Sequence, residues 1–274
     1  MNNLSISIVV YKPDMAILSK TLESLDKAIY GVSFLQNICL YIIDNSPGMG
    51  YYVKLKNLLK DNFLSFGESF IRYEVVKAEK NLGYGYGNNI AIKKSSATYH
   101  LVLNPDVFLQ EDTLFNAVNY MESNYDIGLL IPAVFGQNGE RHYLCKKNPT
   151  IFDSFLHSFA PGFLKNVFHK RMEAFEMRHL DYSQIMIDVP FPTGCFMLFR
   201  TAVLKQLNGF DDRYFMYFED ADIGRRLLKF SHSVYVPNVK IFHVWARESH
   251  KNIKLMLVAI YSAWLYWYTW GGLF

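Results

Sequence analysis

This sequence predicts an α/β fold built on a doubly wound, mostly parallel sheet. Three observations carry that expectation. Short apolar runs of strand length alternate with segments of helical apolar spacing through the first half of the chain. The runs are apolar on both faces, as strands buried by helices on either side must be. Polar residues (Tyr11, Asp44, Asn81, Asp106) fall at or just beyond strand ends, where ligands of such sheets bind.

Taken in order, residues 4–11 read as a buried strand that Lys12-Pro13-Asp14 breaks, and 15–29 as a helix. Residues 38–43 form a second strand ending at Asp44-Asn45-Ser46-Pro47-Gly48. A helix over about 50–63 and a strand at 70–76 follow. Residues 84–95 read as a helix with a glycine-rich entry. The strand at 99–103 ends at Asn104-Pro105-Asp106, followed by a helix over about 111–123 and a strand at 127–134. Then the pattern changes. Residues 150–182 are helical and amphipathic, with Phe152, Phe155, Phe159, Phe163 and Phe168 among His157, Lys165, His169, Lys170 and Arg171. Residues 187–199 return to strand around Gly194. Short elements complete the body: helical at 201–207 and 219–229, extended at 233–236 and 239–243. There are no repeats, and no linker separates two domains. The expected division is a body at 1–250, with 150–182 as a helical insertion, and an aromatic helix at 251–274.

Composition narrows the function classes. With 51% hydrophobic and 19% charged residues, the chain can build a large core and leaves little room for long disorder. A net charge of +3 is too mild for a nucleic-acid partner, and would suit anionic ligands or an anionic membrane surface. Three isolated cysteines (Cys39, Cys145, Cys195) lack metal-ligand spacing and read as reduced thiols of a cytoplasmic protein. The N-terminus runs directly into a strand pattern, so no signal peptide is expected. Leu255 to Phe274 carry no charge and are long enough to span a membrane. Their Tyr and Trp content favours an interfacial or protein-packed helix instead.

The chemistry-bearing segments are separate in sequence. Phe215-Met-Tyr-Phe-Glu219-Asp220-Ala-Asp222 sets three carboxylates against aromatic residues. Desolvation there would raise a carboxylate towards the range of a general base; a helix N-terminus is the competing reading. Asp106, held at a strand tip by proline, is either a ligand for a divalent cation or the start of an Asx-type turn. Asn81-Leu-Gly-Tyr-Gly-Tyr-Gly-Asn-Asn89 places glycines at 83, 85 and 87, which is not dinucleotide spacing. It reads as backbone that closely approaches a ligand at a helix entry. His243 ends the last strand, four residues before Arg247, and the two together could serve a metal and a diphosphate.

In this order the segments resemble an inverting family 2 glycosyltransferase of the glycosyltransferase A fold, over roughly residues 5–270. The nearest branch is the bacterial rhamnosyltransferases of O-antigen and other surface polysaccharides. The resemblance implies roles. Tyr11 and Asp44 would contact the pyrimidine and ribose of a dTDP- or UDP-sugar. The loop of Asn81, Gly83 and Asn88 would lie against nucleotide and phosphates. Asp106 would end the metal motif whose first acid is here Asn104, and His243 would be a second ligand for Mg²⁺ or Mn²⁺. Arg247 would assist at the diphosphate, and Gly194 would lie near the donor sugar. Asp220 would be the catalytic base, with Asp222 and Glu219 on the acceptor side. The implied reaction transfers L-rhamnose from dTDP-rhamnose to a glycan or an undecaprenyl-diphosphate-linked oligosaccharide. It would take place in the cytoplasm, peripherally on the inner face of the cell membrane. A different sugar on a UDP donor, or an inactive glycan-binding subunit, are the rival readings.

Overall fold

Apolar β-rich runs and amphipathic helices condense into one ten-stranded sheet with helices on both faces. The structure is a computed structural model of the 274-residue chain and describes residues 3–32, 34–35, 37–63, 71–158, 160–244 and 253–271. The first strand, β1 (Asn3–Val10), is almost wholly buried. Asp14 then caps helix α1 (Met15–Tyr30), its carboxylate accepting the Ala16 and Ile17 N–H groups at 2.9 and 3.2 Å. β2 (Asn37–Asp44), α2 (Gly50–Phe63), β3 (Ile71–Lys77), α3 (Tyr84–Lys94) and β4 (Tyr99–Leu103) follow. β3, β2, β1 and β4 lie side by side and parallel, with Val10 opposite Asp44 and Asp44 opposite Lys77. Their carboxyl ends therefore form one rim.

The parallel expectation ends at β4. After β5 (Val107–Leu109), α4 (Thr113–Ser123), β6 (Ile127–Phe135) and β7 (Arg141–His142), the chain makes three short helices rather than one amphipathic run. These are α5 (Ile151–Ser158), α6 (Gly162–Val167) and α7 (His169–Phe175). The expected strand at 187–199 divides into β8 (Met186–Ile187) and β9 (Phe196–Arg200) around a proline-rich loop. α8 (Thr201–Gln206) and α9 (Glu219–Leu227) precede β10 (His232–His243). β10 joins the two extended segments read separately; its register on β6 shifts between Val236 and Lys240, around Pro237. The sheet order is β3-β2-β1-β4-β9-β6-β10-β5, with β9 antiparallel to both β4 and β6. This half is mixed because β9 arrives through a loop rather than a crossover helix.

The final helix, α10 (Ile253–Trp270), packs on the body through Ser262, Ala263, Leu265 and Tyr266. Its other side exposes Leu257, Tyr261, Trp264 and Tyr268, with the last two rings stacked at 5.5 Å. Among the described residues no helix is long and apolar enough to cross a membrane. The packed reading of the C-terminal segment is therefore the observed one.

Candidate active site

The site lies at the rim where β1, β2, β4 and β10 end. Tyr11 follows β1 and is 54% exposed, an open ring with the Lys12 ammonium 5.5 Å from its centroid. Asp44 differs from expectation. It is fully buried; Oδ1 accepts the Ser46 N–H at 2.8 Å and Oδ2 pairs with Lys77 at 3.1 Å. Lys77 also donates to the Ser46 carbonyl. The carboxylate thus holds the turn after β2.

The glycine loop is also repurposed. Asn81 Oδ1 accepts the Gly83 N–H at 3.1 Å, an Asx turn that starts α3. Gly83 has φ +109°, and a Cβ there would lie 2.0 Å from the Phe215 carbonyl oxygen. Cβ atoms at 85 and 87 would meet Phe210 and Val9. The close approach seen here is to protein: the Tyr84 N–H bonds the Phe215 carbonyl at 2.9 Å. Asn88 corrects the expectation too. It is fully buried, accepting from Ser7 Oγ at 2.7 Å and donating to the Tyr84 carbonyl at 3.1 Å. Behind it, Ser7 and Ser5 bond the two ring nitrogens of buried His100 at 3.1 and 2.7 Å. Burial holds His100 neutral, its pKa lowered to about 3.

Asp106 and His243 do come together. Asp106 Oδ1 lies 3.2 Å from His243 Nε2, and the Val244 N–H ties the two segments through the Asp106 carbonyl at 3.0 Å. One partly exposed carboxylate and one imidazole converge on a point. That donor pair fits two protein ligands of a Mg²⁺ or Mn²⁺ ion completed by phosphate oxygens and water. Among the described residues no cluster of three or more His, Cys, Asp or Glu forms a closed metal cage. Arg247 lies outside the described residues. Asn104 Oδ1 accepts from the Tyr84 hydroxyl at 2.8 Å; the Gly194 carbonyl lies 3.0 Å from the same hydroxyl. Tyr84 was missed in sequence because the glycines around it drew the motif reading.

The acidic segment enters the site on a strained backbone. Tyr217 and Phe218 both have positive φ, 72° and 66°, although neither is glycine. Two such residues cost about 1–3 kcal/mol each and persist only where surroundings over-determine them. Here the Phe218 ring packs on Tyr266 and Trp267 at 5.5 and 6.0 Å, and Ser262 Oγ bonds the Met216 carbonyl at 2.8 Å. The bend delivers Asp220 to the mouth of the sheet. Asp220 Oδ2 accepts the Gly194 N–H at 3.0 Å, and a Cβ on residue 194 would sit 3.4 Å from that carboxylate. Burial raises the Asp220 pKa, opposed by the Gly194 N–H and by the charge of Lys146. Lys146 carries no local signal; only the pairing of residues 146 and 191 brings it here.

Asp222 is 1% exposed and does not face an acceptor. Its Oδ2 pairs with Arg226 at 2.7 Å and its Oδ1 accepts from Trp270 Nε1 at 2.9 Å, so it fastens α9 to α10. Glu219 is 6% exposed, sealed behind Asp220, and burial raises its pKa well above the usual carboxylate value. In the helical insertion, Arg171 pairs with Asp153 at 2.6 Å and stacks on Phe152, while Lys170 is exposed.

The chain is similar to known proteins in sequence and fold. Residues 5–207 match the family described as glycosyl transferase family 2. Rhamnosyltransferase WbbL of Escherichia coli (strain K12) is 32% identical over 179 residues, 62% of this chain and 62% of that protein. The N-acetylglucosaminyl-diphospho-decaprenol L-rhamnosyltransferase of Mycobacterium tuberculosis (strain CDC 1551 / Oshkosh) is 27% identical over 208 residues, covering 67% and 66%. The match thus spans 62–66% of the length of these relatives. Among solved structures, mannosyltransferase PcManGT from Pyrobaculum calidifontis, in complex with GDP-Man and Mn²⁺, superposes with a TM-score of 0.58 at 12% identity, over 90% of this chain and 58% of that one. S. aureus TarS 1–349 in complex with UDP-GlcNAc gives 0.58 at 15% identity, over 95% and 66%. At such identities the likeness is one of fold, the glycosyltransferase A fold.

Proposed function

Because this chain belongs to glycosyl transferase family 2, we propose that it is an inverting glycosyltransferase with Asp220 as its base, most simply a rhamnosyltransferase using dTDP-rhamnose. The observation that carries the reading is Asp220 fixed by the Gly194 N–H at the carboxyl rim of the sheet, with Tyr11 and the Asp106–His243 pair on the same rim.

The chain's own groups supply the steps. Tyr11 offers an open aromatic face to the base of the nucleotide. Asp220 takes the proton of the acceptor hydroxyl while that oxygen bonds the anomeric carbon. The bond from that carbon to the diphosphate oxygen breaks in the same displacement, so the configuration inverts and the nucleoside diphosphate leaves. No enzyme nucleophile is required. A divalent cation held by Asp106 and His243 would offset the negative charge on the departing diphosphate. Asn104 and Tyr84 keep Gly194, and through it Asp220, in place.

The rhamnose assignment rests on two relatives named as rhamnosyltransferases. A relative named for N-acetylglucosaminyl-diphospho-decaprenol supports a polyprenyl-diphosphate-linked acceptor. The fold neighbour with UDP-GlcNAc favours one alternative, an N-acetylhexosamine from a UDP donor. The exposed Leu257, Tyr261, Trp264 and Tyr268 face of α10 supports peripheral contact with a membrane surface. Thermal shift with a panel of nucleotide sugars and Mg²⁺ or Mn²⁺, followed by nucleoside diphosphate release on lipid-linked acceptor, tests the reading. Stabilisation by dTDP-rhamnose and acceptor-dependent dTDP release are expected; preference for a UDP-sugar would replace the donor assignment. Co-pelleting with anionic liposomes tests the membrane contact, and recovery of all protein in the supernatant would remove it.

A further inference from the structure

Gly194 carries the N–H that fixes Asp220, and its neighbours on either side are pinned. Thr193 Oγ1 donates to the Leu144 carbonyl at 2.7 Å, and the Cys195 carbonyl accepts the Asn104 N–H at 2.9 Å. Between these pins the Gly194 carbonyl meets the Tyr84 hydroxyl at 3.0 Å. Glycine has the widest backbone freedom of any residue, so that contact bears on where its N–H points.

That hydroxyl faces two acceptors. Asn104 Oδ1 lies 2.8 Å from it, nearer than the Gly194 carbonyl, yet a phenol has a single proton to donate. Burial, and next the charge of Glu219, raise the Tyr84 pKa well above the usual phenol value, so the proton stays on the oxygen. Two acceptors therefore compete for one donor, in a setting where an unsatisfied acceptor costs stability.

Asn104 can resolve the conflict, and an acid at that position could not. The oxygen and nitrogen of a carboxamide have nearly the same shape, and a half-turn about the terminal bond exchanges them. Among the described residues the Asn104 side chain has no hydrogen bond other than the one to Tyr84. With Nδ2 towards Tyr84, Asn104 donates to the phenol oxygen and the phenol donates to Gly194, so every group in the chain is satisfied. A carboxylate at 104 has no proton to give and would draw the phenol away from Gly194.

We propose that Asn104 donates to Tyr84 and Tyr84 to Gly194, and that this relay makes both side chains positioning residues for Asp220. The amide at 104, next to Pro105-Asp106 in sequence, then serves the acidic segment across the site. Tyr84 is fixed for this task at its backbone. Its N–H bonds the Phe215 carbonyl at 2.9 Å, and its carbonyl accepts from Asn88 Nδ2 at 3.1 Å. The catalytic consequence rests on the proposed role of Asp220 as base, whereas the order of hydrogen bonds does not.

The test is hydrogen exchange of the Gly194 N–H, followed by NMR on the ¹⁵N-labelled full chain without donor or acceptor. Tyr84→Phe keeps the ring and removes the hydroxyl; it should speed that exchange about fivefold, the equivalent of one hydrogen bond. Asn104→Asp should speed it as much, because the carboxylate takes the phenol proton. Asn104→Ala removes the rival acceptor and should leave Gly194 near wild type. Unchanged exchange in Tyr84→Phe overturns the proposal, as does fast exchange in Asn104→Ala with slow exchange in Asn104→Asp. If Asn104→Asp does not fold, fast exchange in Tyr84→Phe with slow exchange in Asn104→Ala decides for the relay. In turnover, Tyr84→Phe should lower kcat about fivefold with the donor Kd unchanged. Normal kcat alongside fast Gly194 exchange would keep the relay and count against Asp220 as base.

Discussion

The rim made by β3, β2, β1 and β4 and the wall made by residues 191–222 with α10 enclose one site, but different physics fixes each. On the rim, the turns are held by near neighbours, Asp44 by the Ser46 N–H and Asn81 by the Gly83 N–H, with Lys77 reaching Asp44 from the adjacent strand. On the wall, partners come from far along the chain. Gly194 holds Asp220 across 26 residues, and Trp270 holds Asp222 across 48. The wall also carries the two strained residues Tyr217 and Phe218. The difference teaches that the turns of the rim are shaped by short-range N–H bonds, whereas Asp220 is aimed by strained backbone that only distant packing can hold.

That contrast can be broken at several points. The largest expected effect lies behind the rim, in the buried part of β4. His100 has its pKa lowered to about 3, so the folded state favours the neutral ring. Its stabilisation is complete above the ordinary value of 6.5 and is lost as pH falls from there towards about 3. The loss is at most roughly 5 kcal/mol for a group shifted this far. Denaturant midpoints between pH 7 and 4 should fall, and His100→Gln should flatten that fall; equal slopes in both proteins would contradict it. On the wall, Asp220→Asn should lower transfer by about 10²–10⁴-fold with donor binding nearly intact. Turnover above a tenth of wild type would remove Asp220 as base.

Gly83 joins the two regions. Gly83→Ala places a Cβ on the Phe215 carbonyl and should cost roughly 3 kcal/mol while disturbing turnover. An unchanged unfolding midpoint would show that rim and wall are not coupled there. Asp106→Ala should weaken donor binding and abolish its response to Mn²⁺, and superimposable titrations would exclude the site. Smallest is Trp270→Phe, which removes one hydrogen bond to Asp222 and leaves Arg226, at a cost of about 1 kcal/mol. No effect on either stability or turnover would show that α10 does not brace the wall.

Legibility in the sequence follows the same division. Strands and helices up to residue 135, apart from the unexpected β5, were readable because apolar periodicity is a local property, and β4 at 99–103 coincides with its expected range. The helical segment expected at 150–182 is divided into α5, α6 and α7, with Pro161 at the start of α6. Asp106 and His243 were paired only by the family resemblance, whereas Lys146 and Tyr84 had no motif to announce them. Asp44, Asn88 and Asp222 were the right residue types in the right segments, yet their side chains face protein.

The sequence by itself determined the alternation of elements, the polar strand ends that make the rim, and the segment that bears the acids. It could do so because periodicity, proline and glycine act within a few residues. Tertiary structure alone decided which acid meets open space. That choice depends on N–H groups and an aromatic helix brought from distant parts of the chain. A carboxylate's role follows from which partners reach it and how much water they exclude.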